Sequence, residues 1–316
     1  MHIRSFQSGD EFEQLKIYNS VAAALPKFKP ATILDIQRRT TASDFDAGSR
    51  LYAVENGAVV GYCTFQRNGR VGFPWCLPGA EAAAEPLFEY AIRSMKERGI
   101  GKAFTAYRKD WPTITEFFLS HQFSFAREMV NFVMAFENMP TPSARLSSTV
   151  TPATPADAPG ILSLDPSVFR VNTAEALREA LWNNPYLKPE SIFVMRNKAD
   201  GAPLAAGIFV NNALYASPRA VDADMPCFRL GAFGTEGMTT KRINGLFSFV
   251  TAPRRSIFSI GMDMLSYAIN LIGDDDEITC YGAQVASDAP ALLAFYQQTF
   301  ERQGSFPVYE RDLSKA

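Results

Sequence analysis

Apolar and polar positions along this chain fall into two successive series of elements with the same order. In the first, Ile3 to Phe6 reads as a short strand, and Ser8 or Asp10 stands where it could cap a helix through Phe12, Leu15, Ile17 and Val21. A second helix is predicted over 31–39. Two apolar runs around Glu55-Asn56-Gly57 make a hairpin, because Asn-Gly accepts the positive φ angles of a tight turn. Val71 to Leu77 reads as a strand. Leu87, Phe88, Ala91, Ile92 and Met95 then line one side of a helix that stops at Gly99. Lys102 to Tyr107 is a strand, Ile114 to Ser120 a helix and Met129 to Phe136 a closing strand.

Residues 139–149 hold two prolines and small polar residues without apolar periodicity, which marks a linker between a domain of residues 1–138 and one of 150–316. Beyond it the order starts again. A strand over 149–153 precedes helices over 156–169 and 173–182, the second capped by Thr173. Segments 191–196 and 204–210 form a hairpin around Asp200-Gly201. A long polar connection over 211–242, with an added strand near 227–233, leads to the apolar strand Leu246 to Val250. Ile257, Ile260, Met264, Leu265, Ala268, Ile269 and Ile272 recur at spacings of three and four, so an amphipathic helix follows. The last elements are a strand over 278–285, a helix over 289–300 and a strand near 307–309. The halves share element order and no visible sequence identity.

The join between the strand at Val250 and the helix after it, Thr251 to Ser259, carries the candidate chemistry. A helix start presents unpaired amides and the positive end of the helix dipole, which suits phosphate, and Arg254 and Arg255 add charge there. An ordinary strand-to-helix connection is the other reading. Strand, loop and helix in this order resemble the cofactor segment of the GNAT superfamily, the acyl-CoA-dependent N-acyltransferases. Pro253, Ile260 and Gly261 fall in the places of that family's loop pattern, while Ser256 and Ile257 stand where arginine and glycine are usual. The resemblance extends over the whole chain, whose repeated order resembles the tandem two-domain form known in the mycothiol synthase type among others. It implies an α/β (α+β) fold of two GNAT-like domains, each a mixed, mostly antiparallel sheet flanked by helices.

The resemblance also ranks the halves. In the first, Glu81 puts a carboxylate where the family places positive charge, and Phe118 replaces the tyrosine that protonates departing CoA thiolate. The first half is therefore expected to be non-catalytic. Arg98-Gly99-Ile100-Gly101 spells a family loop but sits between a helix and a strand, so it is expected to be a helix stop. In the second half Phe295-Tyr296-Gln297-Gln298 resembles the family's closing helix, which makes Tyr296 the candidate acid; a core tyrosine is the competing reading. For the base that deprotonates the amine, Glu236 is the candidate, with Asp222 and Asp224 as alternatives. The cofactor candidates are Val250, Thr251, Arg254, Arg255, Ser256, Ser259, Ile260 and Gly261.

Composition narrows the classes. With 316 residues and 47% hydrophobic content the chain can bury two cores. A formal charge of −2 argues against a nucleic-acid or anionic-membrane surface. No apolar run reaches the ~18–20 residues of a membrane span and the first residues lack a signal-peptide core, so a soluble cytoplasmic protein is expected. Four scattered cysteines and two histidines make a disulfide framework or a metal site unexpected.

Together these readings give an acetyl-CoA-dependent (acyl-CoA) N-acyltransferase acting on a primary amine of a small molecule or peptide by direct attack. A catalytically inactive GNAT-fold binding or scaffold protein is the alternative. An aminoacyl-tRNA-dependent transferase is a third reading, against which the lack of a basic face argues.

Overall fold

A computed structural model of the chain describes residues 1–316 other than 27, 29, 42–44, 141–149, 166–170, 172, 185, 186, 212–244, 253–255, 273–279, 315 and 316. Its main elements, in order, are β1 (His2–Ser5), α1 (Asp10–Ala22), α2 (Ile33–Thr40), β2 (Arg50–Glu55), β3 (Ala58–Thr64), β4 (Trp75–Cys76), α3 (Ala84–Glu97), β5 (Lys102–Ala106), α4 (Pro112–Ser120) and β6 (Ser124–Ala135). The second series is β7 (Val150–Pro152), α5 (Ala158–Leu164), α6 (Ala174–Trp182), β8 (Ile192–Arg196), β9 (Pro203–Asn211), β10 (Gly245–Thr251), α7 (Ile257–Asn270), β11 (Cys280–Ala286), α8 (Pro290–Thr299) and β12 (Glu301–Asp312). The fold is α/β (α+β), with mixed sheets in which antiparallel pairing dominates. The strand expected near 227–233 lies outside the described residues.

Two compact units form: Met1–Arg127 together with Phe306–Ala316, and Glu128–Ser305. In the first, β1 to β4 make an antiparallel sheet in chain order. Asn56 (φ 50°) and Gly57 (φ 82°) supply the hairpin turn between β2 and β3. Leu87, Phe88, Ala91, Ile92 and Met95 of α3 are all buried, as their spacing predicts. The helix stops at Gly99 (φ 74°), whose N–H reaches the Lys96 carbonyl at 2.9 Å while the Ile100 N–H reaches Met95 at 3.0 Å. Arg98 to Gly101 is thus a helix stop.

Two local readings change. The cap of α1 is Gly9 (φ 102°), not Ser8 or Asp10. Asp10 instead takes both guanidinium nitrogens of Arg4, at 2.6 and 2.8 Å, and the Gln7 N–H at 2.6 Å, so its carboxylate is spent on the chain that enters the helix. The strand read over 71–77 shortens to Trp75–Cys76, because Pro74 has no N–H for a ladder.

In the second unit the strands lie in the order β6, β11, β10, β9, β8, β7, all antiparallel except the pair β10–β11. Side chains alternate across this sheet. Phe247 and Phe249 of β10 join Ile260, Met264 and Leu265 of α7 and Phe295 and Tyr296 of α8 in one core. Val250 joins Ala158, Ile161 and Leu164 of α5 and Leu177 and Leu181 of α6 in the other. Thr173 caps α6 by accepting the Ala176 N–H at 3.2 Å.

The units divide the chain differently from a cut at 139–149. From Met129 to Ala135, β6 pairs with β11, and from Val308 to Asp312 the last strand pairs with β5. Each half's closing strand thus belongs to the unit built mainly from the other half. Strand pairing is a non-local choice of edge, which a linear reading of element order does not contain. Residues 141–149 of the expected linker lie outside those described.

Candidate functional site

The site is best built from the two edges of β10. On one edge β9 pairs with it throughout, with Val250 opposite Ala206 and Ser248 opposite Ile208. The Ala252 N–H donates to the Leu204 carbonyl at 2.8 Å. Because main-chain groups alternate sides along a strand, Ser248 and Val250 spend theirs on β9, while Phe247, Phe249 and Thr251 turn theirs to the other edge.

On that other edge the parallel register with β11 covers Gly245↔Tyr281 and Leu246↔Gly282. Beyond it β11 runs from Ala283 to Ala286 paired with β6, and among the described residues β10 and β11 share no further register. The strands part at their carboxyl ends, ahead of the start of α7. A crevice of this kind between parallel strands is where α/β sheets take ligands.

Tyr296 sits at this parting. It is 2% exposed; its ring stacks on Phe132 at 5.8 Å and lies 5.1 Å from both Phe295 and Phe300. Its hydroxyl donates to the Phe247 carbonyl at 3.4 Å, a long hydrogen bond to one of the groups turned away from β9. Burial drives the phenol far above its ordinary range. The phenol therefore keeps its proton.

At the start of α7 the amides of Ile257, Phe258 and Ser259 have no acceptor within the helix, and the Ser256 side chain caps none of them. Ile260 differs from the expectation, because its N–H is already bound to the Ser256 carbonyl at 3.1 Å. Ser256 and Ser259 are exposed at the open end. Gly261 is buried on the underside, where a Cβ would come within 2.6 Å of Phe295 Cε2 and 2.8 Å of Phe249 Cζ. Its lack of a side chain serves the approach of helix to core. Ile257 packs on that core, while Phe258 is 46% exposed and leans on Phe295 at 5.9 Å.

Of the strand candidates, Thr251 has its main chain on the open edge and Val250 does not. Sequence reasoning missed Phe247 and Phe249, since an apolar run gives side-chain alternation but not which edge a neighbour leaves free. Arg254, Arg255, Glu236, Asp222 and Asp224 lie outside the described residues.

At the corresponding strand-to-helix join of the first unit the open end carries Glu81. Both Glu81 carboxylate oxygens accept the Gly79 N–H at 3.0 Å, and that bond, with one from its own backbone, holds the carboxyl below its usual range. Phe118 is 1% exposed and stacks on Tyr107 at 5.8 Å, whose hydroxyl accepts the Phe73 N–H at 2.7 Å. His121 lies between the Phe117 carbonyl at 2.6 Å and Glu85 at 2.9 Å, beside an open groove of about 430 Å³. Among the described residues no group of three or more His, Cys, Asp or Glu is placed to hold a metal ion, and no helix is long and apolar enough to cross a membrane.

No family model and no curated protein matches the sequence. Solved structures do match the fold. A GCN5-related N-acetyltransferase from Sphaerobacter thermophilus aligns over 99% of this chain and 95% of its own, at TM-score 0.62 and 11% identity. A tandem GNAT protein from the clavulanic acid biosynthesis pathway aligns over 100% and 99%, at TM-score 0.56 and 12% identity. A glucosamine N-acetyltransferase region of a fungal multi-domain GH3 β-N-acetylglucosaminidase aligns over 98% of this chain but 38% of that one, at TM-score 0.67 and 12% identity. The order of its elements, the parting of β10 from β11 and these full-length likenesses agree that the chain has the tandem GNAT fold.

Proposed function

We propose that this chain is an acetyl-CoA-dependent (acyl-CoA) N-acyltransferase whose working site lies in the second unit. The observation that carries the reading is the parting of β10 from β11 after Leu246, which turns main-chain groups of Phe247, Phe249 and Thr251 toward a gap in front of a helix start. Those groups suit the amides of a pantetheine arm, and the open amides of Ile257 to Ser259, with Arg254 and Arg255 on the preceding loop, suit a diphosphate. Tyr296, neutral and beside the gap, donates its proton to the departing thiolate, and Glu236 takes the proton of the attacking amine directly or through water. The acceptor is a small molecule or peptide with a primary amine. Structural neighbours bearing the name N-acetyltransferase support the same reaction class.

Calorimetric titration with acetyl-CoA tests this. Micromolar binding that disappears on Arg255→Glu is the expected result. A chain that takes up no acetyl-CoA belongs to the alternative, an inactive GNAT-fold binding or scaffold protein, which the aromatic enclosure of Tyr296 favours.

A further inference from the structure

Side chains of β6, β10 and β11 divide between the two faces of their sheet. Phe132 and Met134 of β6, Phe247 and Phe249 of β10, and Ala283 and Val285 of β11 enter the core shared with α7 and α8. By alternation Asn131, Ser248 and Gln284 stand on the opposite face. The core shared with α5 and α6 draws Val250 from β10 and, among the described residues, nothing from β11 or β6. Asn131 and Gln284 are cross-strand partners, and theirs is the only pair between β6 and β11 in which both side chains are polar and neither is aromatic. The Gln284 Nε2 donates to the Asn131 Oδ1 at 2.9 Å. Asn131 is 2% exposed and Gln284 half-buried. Carboxamides kept in such a place carry a desolvation cost that an apolar pair would not.

The pair stands at the parting of the strands. β10 and β11 are in register up to Leu246↔Gly282, and Gln284 lies two residues beyond on β11, as Ser248 does on β10. Gln284 therefore borders the gap on the face opposite Tyr296, whose phenol reaches the Phe247 carbonyl from the aromatic side. A thioester lying in the gap is closed off on that side by packed rings, so a nucleophile approaches from the side of Gln284. With Nε2 spent on Asn131, the Gln284 side-chain oxygen is the atom left without a partner among the described residues, and it is an acceptor. With the gap taken as the acyl-CoA site, on which this step rests, we infer that Gln284 is the acceptor-side contact of the reaction. Its side-chain oxygen takes an N–H of the incoming amine, and Asn131 is the positioning residue that keeps it turned that way. An amide oxygen orients the amine and leaves removal of its proton to a base elsewhere. No charged side chain stands on this face of β6, β10 or β11, so the acceptor it fits is an amine whose neighbouring groups are neutral and polar, such as hydroxyls.

The full chain is tested with acetyl-CoA and serinol, a neutral primary amine flanked by two hydroxyls, by following release of the CoA thiol. Gln284→Leu is expected to raise the KM for serinol roughly tenfold, as loss of a hydrogen bond to the amine does, and to leave acetyl-CoA affinity by calorimetry within about twofold. Asn131→Ala is expected to raise the same KM about fivefold, and less than about twofold on a Gln284→Leu background, because it acts through Gln284. A purely structural pair would instead weaken acetyl-CoA and serinol together, or neither. Either of those results, equal losses from Asn131→Ala on both backgrounds, or binding of acetyl-CoA without thiol release to serinol overturns the assignment and leaves the acyl-CoA site standing. Absence of acetyl-CoA binding by the unaltered chain overturns both. Should Asn131→Ala fail to fold, Asn131→Ser replaces it in the cycle, and Gln284→Leu, at a half-buried position, decides the contact by itself.

Discussion

Glu81 folds its carboxylate back onto the Gly79 amide, with both oxygens at 3.0 Å, so the first unit supplies its own anion at the corner where the second unit leaves helix amides open. A dianionic ligand would have to displace a like charge to enter there. The expected stoichiometry of acetyl-CoA binding is therefore one per chain. Calorimetry giving a second equivalent of comparable affinity would show that the first unit's corner opens after all.

Buried phenols make the protein sensitive to alkali. Tyr107 is pushed up to about 12 by burial, and Tyr52 and Tyr296 are raised further by the same cause. A folded-state value above the unfolded one, about 10, means that the stability tied to these phenols is complete below pH ~10. It drains away as pH climbs through the folded values. Phenolate absorbance should then rise in two phases, the exposed tyrosines first and the buried ones together with loss of far-ultraviolet circular dichroism. A single early phase without unfolding would contradict the enclosure of Tyr296.

Gly261→Ala tests whether that glycine serves packing. Helix propensity alone would favour alanine by about 1 kcal/mol. Against this, the added methyl meets Phe295 at 2.6 Å and Phe249 at 2.8 Å, and overpacking of a core costs about 1–3 kcal/mol. The expected net effect is a loss of about 1–2 kcal/mol in urea unfolding. A gain in stability would mean that the aromatic cluster yields and that the glycine has another purpose.

The C-terminal strand should be indispensable to the N-terminal half. Ending the chain at Ser305 removes Phe306, Val308 and Leu313, all buried, and takes the partner of β5 away. At about 1.5–3 kcal/mol for each buried side chain the loss rivals the whole stability of a domain, about 5–15 kcal/mol. Limited proteolysis should then cut within Met1–Arg127, far from the truncation in sequence. Undiminished resistance of that segment would contradict the pairing of β12 with β5.

Much of the architecture was legible because short-range physics writes it into local patterns. The apolar spacing of α3, the Asn56-Gly57 turn, the Thr173 cap and the Gly99 stop each depend on residues within one or two turns of chain. Readings failed where a nearby competitor was invisible as such. Asp10, plausible as a cap, is drawn to Arg4, and Pro74 withholds the amide that would have lengthened β4. At the candidate site, Thr251 and Tyr296 were singled out by the resemblance. Phe247 was not, because its contribution is a carbonyl and every residue has one.

What the sequence determined by itself is the inventory: two similar series of strands and helices, an open helix start after Ser256, and a first half whose loop carries Glu81. Periodicity, turn chemistry and charge are properties of adjacent residues, so they survive without coordinates. Only the tertiary structure decided which strand closes which unit, that β11 leaves β10 after Leu246, and that the Tyr296 phenol meets the Phe247 carbonyl at the gap so opened. Those outcomes are choices among strand edges with equivalent hydrogen-bonding groups, and the packing of side chains distant in sequence selects among them.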